Sequence, residues 1–233
     1  MKKMKKEVVQ KILEQTPRNY DMIAQDWHRT RQYLWPGSEE FLKYINNGAK
    51  ILDVGCGNGR LVRLFDNVDV DYIGIDNSVE LINLAKKDFP GRKFLVADIL
   101  KLPFADNSFD VVFCISVLHH LPGKDLRKKS VLEMNRVLKP GGHLILLNWY
   151  YRSPKMIGRL VKFSLAKIAG KAKLDFGDIY LGWGDFEVRR YIHLFTKFGT
   201  KKLLESSGFE IVKNYISEKT KREFCNIITI AKK

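Results

Sequence analysis

The chain has 233 residues, 45% of them hydrophobic and 29% charged, which suits one sizeable α/β core and excludes a disordered chain. Its 41 Lys and Arg against 26 Asp and Glu give a formal net charge of +15, a field that gathers nucleic acid or an anionic membrane surface unless it is only a lysine-rich solvated exterior. No apolar run approaches membrane-spanning length, and Cys56, Cys114 and Cys225 are too widely spaced for a zinc site or a disulfide framework, so reduced, buried thiols and a cytoplasmic protein are expected.

The start, MKKMKKEVVQKILEQ, is positive like a signal peptide, but Glu7, Gln10, Lys11 and Glu14 interrupt any apolar stretch. Residues 1–47 read as a helical leader carrying Tyr20, Trp27, Tyr33 and Trp35. From residue 48 to 149 short β-rich runs alternate with helical patterns, the rhythm of βαβ units. Strands are predicted over 50–54, 72–75, 93–96, 111–116 and 143–148, with helices over 60–65, 79–88 and 125–138. Lys139-Pro140-Gly141-Gly142 should stop the last helix. Residues 150–195 form a basic insertion expected, with the leader, to cover the carboxyl edge of the sheet. Over 196–233 a helix at 200–207 precedes strands at 209–216 and 224–231, whose short connection requires an antiparallel pair. The whole is predicted as a single Rossmann-like α/β domain, a mostly parallel seven-stranded sheet with one antiparallel strand and helices on both faces.

The chemistry concentrates at strand ends. In Ile51–Gly59, ILDVGCGNG, an apolar strand ends in Asp53 and three alternating glycines, Gly55, Gly57 and Gly59, separated by Cys56 and Asn58. Such a loop turns sharply and lets the backbone approach a ligand. Its spacing differs from the dinucleotide fingerprint, and the phosphate-loop motif is absent. Asp76 ends the next strand, where a carboxylate can accept both ribose hydroxyls, and Asp98 follows the third.

These segments, in order LDVGCGNG, GIDNS, VADILKLPFADNSFD, VLHHL and EMNRVLKPGGHLIL, resemble the Rossmann-like S-adenosylmethionine-dependent methyltransferases. The resemblance implies S-adenosyl-L-methionine as cofactor: Asp53 with the loop Gly55, Cys56, Gly57, Asn58 and Gly59 holds the methionine portion, Asp76 the ribose, and Asp98 with Ile99 the adenine. Ile115 and Ser116 line the floor, and Tyr20, Arg31 and Asn77 complete the set. No metal is required.

The acceptor is implied by two further segments. Tyr20, Arg29, Arg31, Trp35 and Pro36 in the leader, and Arg190-Tyr191-Ile192-His193-Leu194-Phe195 downstream, resemble the tRNA wobble-uridine methyltransferases that convert 5-carboxymethyluridine to its methyl ester. Ile192 departs from that family's usual second tyrosine. A carboxylate is already anionic at neutral pH and needs orientation rather than a base, a task for Arg190 or Arg31 aided by Tyr191 and His193. Trp149 or Trp183 is expected to stack on the extruded base, and Arg152, Lys155 and Arg159 belong to an acid-free stretch, 150–174, suited to a tRNA backbone or, as a basic amphipathic helix, to a lipid surface. Related eukaryotic enzymes work with a small zinc-binding activator protein that covers an apolar sheet edge. A membrane partner is not expected. Methylation of a small molecule such as a quinone precursor, and a noncatalytic cofactor- or tRNA-binding protein, stay open beside the tRNA enzyme.

Overall fold

β1 (Ala49–Val54) is buried at every position but Lys50 because both its faces are covered, the mark of a central parallel strand. In the computed structural model, which describes residues 4–151, 154–169, 174–184, 186–217 and 224–233, it pairs in parallel with β2 (Val70–Asp76) on one side and β4 (Phe109–Ile115) on the other. β3 (Lys93–Val96) adds to β2, and β5 (Leu138–Tyr151) adds to β4. Beyond β5, β9 (Phe224–Lys232) runs antiparallel between β5 and β8 (Glu210–Ile216), completing the order β3-β2-β1-β4-β5-β9-β8. Seven strands with one reversed are thus as expected.

Strand order reverses between β1 and β4, so the loops leaving their carboxyl ends splay apart and open a crevice. Alternate side chains feed two cores. Leu52, Val54, Cys114 and Leu146 pack on one face, against α3 (Lys124–Val137) and α5 (Lys197–Glu205). Ile51, Phe113, Ile145 and Leu147 pack on the other, against Phe41, Phe65 and Ile82 of α2 (Val79–Asp88). All three cysteines are buried and free.

Three local expectations need correction. The helix before Lys139 ends at Val137, and Leu138 to Gly142 already belong to β5, crossing a bulge where pairing shifts between Phe109 and Val111. Gly141, at φ 79°, makes the bend, and its N–H donates to the Lys233 carbonyl 3.0 Å away. The segment Arg60–Phe65 is a 3₁₀ rather than an α-helix. α5 begins three residues before residue 200, because the Thr196 hydroxyl accepts from the Gly199 N–H at 3.0 Å and caps it.

Leader and insertion meet over the carboxyl edge. The leader helix, α1 (Lys6–Arg29), lies on α2, where Asp21 accepts from the Ser78 hydroxyl at 2.6 Å and the Glu80 N–H at 3.1 Å, reinforcing the cap of α2. The insertion contains α4 (Pro154–Ile168) and an antiparallel hairpin, β6 (Asp178–Trp183) with β7 (Phe186–His193), that the sequence reading did not predict as strands. α1 is tied to this hairpin by Asp26, which accepts from Trp183 Nε1 at 2.8 Å, and by Asn19 Nδ2, which donates to the Arg189 carbonyl at 3.1 Å. Among the described residues no helix is long and apolar enough to cross a membrane.

Candidate active site

A cavity of about 950 Å³ opens at the switch point between β1 and β4, roofed by α1, the segment after it, and the hairpin. Its polar floor is built by strand ends. Gly55, at φ 74°, could not carry a Cβ, which would lie 2.2 Å from Val117 Cγ2; a Cβ on Gly57, at φ 57°, would lie 2.8 Å from the Trp27 ring. These two glycines keep bare backbone facing the cavity. Gly59 and Asn58 do other work. The Cβ position of Gly59 packs against Phe94, while buried Asn58 donates through Nδ2 to the Arg31 carbonyl at 3.1 Å and so ties the loop to the leader. Neither is among the residues that line the cavity.

Asp53, Asp76 and Asp98 all line it. Asp53 is buried and accepts from the Tyr72 hydroxyl at 2.7 Å; burial lifts its carboxyl to about 7 against the lowering effect of that bond. Asp76 accepts from the Gly57 N–H at 3.0 Å and the Ser78 N–H at 2.9 Å, and burial again raises its pKa. Asp98 accepts from the Leu100 N–H at 2.9 Å. Cys56, Asn77, Ile99 and Ile115 complete the expected wall. Ser116 holds a left-handed φ of 62° at the end of β4, and its hydroxyl accepts from Trp149 Nε1 at 3.1 Å. This set of acceptors fits a ligand carrying a cationic amine and a hydroxylated ring, because both donate hydrogen bonds to carboxylates and the bare backbone allows close approach.

The opposite wall is basic. Arg190 is 7% exposed, its Nε finds no hydrogen-bond partner, and no ion pair to it occurs among the described residues. Its guanidinium lies 4.7 Å from the Trp183 ring and 5.7 Å from the Trp149 ring, and Nη1 donates to the Tyr20 hydroxyl at 3.5 Å. That hydroxyl lies 2.8 Å from His120 Nε2, and His120 Nδ1 lies 3.1 Å from the Tyr191 carbonyl. A carbonyl only accepts, so Nδ1 carries the proton and Nε2 accepts from Tyr20. Burial, with Arg190 second, pushes His120 down to about 3, so the ring is neutral at physiological pH. Burial raises Tyr20 as well, opposed by Arg190. The result is a directional chain from Arg190 through Tyr20 to His120, ending on the backbone of β7.

Tyr191 and His193 do not reach the cavity. Successive residues of a strand face opposite sides, so with Arg190 toward the cavity Tyr191 points away, into a cluster with Met4, Ile12 and Leu174. His193 Nδ1 lies 2.7 Å from Asp178 Oδ1, and Arg127 Nη1 donates to the Tyr191 hydroxyl at 3.5 Å, so this polar group fastens β7 to β6 and α3. Trp183, expected as an exposed stacking platform, is buried, with Arg31 4.3 Å from its ring on the way to the cavity. Trp149 does line the cavity, with the His119 ring 4.6 Å away. Arg31 and Arg159 line it too; Arg152 lies outside the described residues, as does the side chain of Lys155. His120 is the principal site residue missing from the expected set. Its signal was the run His119-His120-Leu121, where only tertiary packing decides which imidazole faces the ligand.

A family model described as a methyltransferase domain matches residues 52–146. A protein of Encephalitozoon cuniculi assigned to the methyltransferases is 31% identical over 207 residues, covering 87% of this chain and 90% of that protein. The tRNA (carboxymethyluridine(34)-5-O)-methyltransferase of Schizosaccharomyces pombe is 29% identical, covering 84% of this chain and 88% of its own length. The enzyme of that name from Arabidopsis thaliana is 40% identical over 132 residues, and the match spans only 32% of its length. Among solved structures, an S-adenosylmethionine-dependent methyltransferase from Methanosarcina mazei superimposes with a TM-score of 0.73 at 26% identity, covering 86% of this chain and 98% of that one.

Proposed function

The chain belongs to the S-adenosylmethionine-dependent methyltransferases, and on that premise we propose that it methylates the carboxylate of 5-carboxymethyluridine at the wobble position of tRNA, forming the methyl ester. The observation that carries this is Arg190, a buried guanidinium without a carboxylate partner among the described residues, facing the same cavity as the three floor carboxylates. A buried cation so placed calls for an anionic ligand group.

When bound, the cofactor supplies an electrophilic sulfonium methyl group. Among the lining residues, Asp53 would pair as an ionised carboxylate with its ammonium, Asp76 would offer acceptors to the ribose hydroxyls, and Asp98 with Ile99 would hold the adenine. Arg190 holds the substrate carboxylate, with Tyr20 fixing the guanidinium and His120 fixing Tyr20. Since the nucleophile is already ionised, neutral His120 acts as an acceptor that orients rather than as a base. The aromatic walls at Trp149 and Trp183 exclude water around the cation and strengthen its hold on an anion. Similarity to relatives named for this tRNA reaction supports the acceptor.

An activator partner would have a candidate seat at the β3 edge of the sheet, which exposes Leu95 (44%) and Val96 (52%). A lipid-soluble small-molecule acceptor is favoured by one observation, the exposed stripe Ile157, Val161, Leu165 and Ile168 on α4. Nucleoside mass spectrometry of tRNA from cells with and without the protein tests the proposal. Loss of the wobble methyl ester, with accumulation of the free acid, is expected; unchanged tRNA nucleosides would contradict it.

A further inference from the structure

The cavity changes character from floor to rim. Three carboxylates, Asp53, Asp76 and Asp98, make the floor unsuited to phosphate, whereas the rim carries Arg31, Arg60 and Arg159 among aromatic rings. Most of those rings are engaged. Trp35 lies under the Arg60 guanidinium at 3.7 Å, and Trp27 has Arg31 and Arg60 at 5.7 and 5.8 Å. Tyr33 differs. It lines the cavity mouth yet is 86% exposed, more than any other large apolar side chain among the described residues.

Its backbone is nevertheless fixed. Arg60 Nη1 donates to the Tyr33 carbonyl at 3.3 Å while the same guanidinium stacks on Trp35 two residues on. Asn58 holds the Arg31 carbonyl two residues before it. A large ring displayed on an anchored backbone, flanked by guanidinium groups at the entrance to a cavity, has the chemistry that binds single-stranded nucleic acid: an aromatic face for a base and cations for the adjoining phosphates. The two tryptophans expected from sequence to stack on a base are committed elsewhere, Trp183 to Arg31 and Arg190, and Trp149 to Ser116 with His119 against its ring.

We infer that Tyr33 is a stacking platform for a nucleobase of the RNA, next to the nucleotide that enters the cavity, with Arg60 and Arg159 beside the flanking phosphates. The inference rests on the RNA substrate proposed above and adds the residue that grips the loop outside the reacting nucleotide. Base stacking of this kind is lost on truncation to alanine with a fall in affinity of about 5- to 150-fold.

The test uses the full chain and an anticodon stem-loop RNA carrying 5-carboxymethyluridine at the wobble position and 2-aminopurine beside it. Tyr33→Ala is expected to weaken RNA binding at least about fivefold and abolish the quenching of 2-aminopurine fluorescence, with S-adenosylmethionine affinity unchanged. Tyr33→Trp should restore both. Wild-type affinity and quenching in Tyr33→Ala would overturn the inference, as would a parallel loss of S-adenosylmethionine binding, which would make the ring a cofactor lid. Wild-type protein that binds and quenches but forms no methyl ester would sink the wobble-methylation proposal and leave the platform standing. Methyl-ester formation indifferent to Tyr33 would sink the platform alone. Wild-type protein that does not bind the RNA would refute both.

Discussion

Replacing Arg190 with Met separates catalysis from stability more cleanly than any other change in this site. The guanidinium is 7% exposed, has no carboxylate partner among the described residues, and is held only by tryptophan faces and a long bond to Tyr20. Burying a charge without a counter-charge destabilises the fold, so an apolar residue of similar length should leave Tm unchanged or raise it, by the equivalent of about 1 kcal/mol or more. The substrate carboxylate, by contrast, loses its charge-assisted partner, which costs about 2–4 kcal/mol, or roughly 30- to 1000-fold in kcat/KM. Arg190→Lys should recover part of this, because an ammonium keeps the charge without the planar fork. The assay is methyl-ester formation on tRNA bearing 5-carboxymethyluridine, with S-adenosylmethionine affinity measured by calorimetry and Tm by scanning. Activity within threefold of wild type would refute the anchoring role. A drop in Tm with a matching loss of cofactor binding would show instead that Arg190 supports the fold.

Asp53 provides a pH signature in the cofactor-free protein: its carboxyl, raised from 3.8 to about 7, favours folding fully below pH 4, and that contribution is lost as pH climbs through 7. Asp53→Asn should therefore raise Tm at pH 8 more than at pH 5, while weakening S-adenosylmethionine binding about 10- to 100-fold; an equal Tm change at both pH values would argue against a raised pKa. Gly57→Ala places a Cβ 2.8 Å from the Trp27 ring at a positive φ, so calorimetry should find cofactor binding lost and chemical denaturation a destabilisation of about 1–3 kcal/mol. Asp178→Asn weakens the bond to His193 and loosens the strand that carries Arg190; urea unfolding should show a loss of about 1–3 kcal/mol, and kcat/KM should fall with S-adenosylmethionine affinity retained.

The cofactor half of the site was legible because its signals are local. In Ile51–Gly59 one strand, one turn and one helical start fall within nine residues, and Asp76 ends, and Asp98 closely follows, strands whose positions the apolar runs mark. The substrate half was not, because it depends on register and on distant partners. Arg190-Tyr191-Ile192-His193 names the right strand, but a one-residue choice of face decides that Arg190 enters the cavity and Tyr191 leaves it, and the consecutive burial of Arg190, Tyr191 and Ile192 gives no alternation that announces the choice. The burial of Trp183 follows from Asp26, 157 residues earlier, and the bend at Gly141 from the carbonyl of Lys233. His120 was conspicuous in sequence beside His119, yet only the Tyr20 hydroxyl and the Tyr191 carbonyl distinguish the two.

The most direct measurement is transfer itself: purified protein, labelled S-adenosylmethionine and tRNA carrying 5-carboxymethyluridine, followed by digestion and nucleoside mass spectrometry, with an activator subunit supplied in a parallel arm. The labelled methyl group is predicted in the methyl ester of the wobble nucleoside, and its formation should collapse with Arg190→Met. Demonstrable S-adenosylmethionine binding with no methyl ester in either arm would contradict the account.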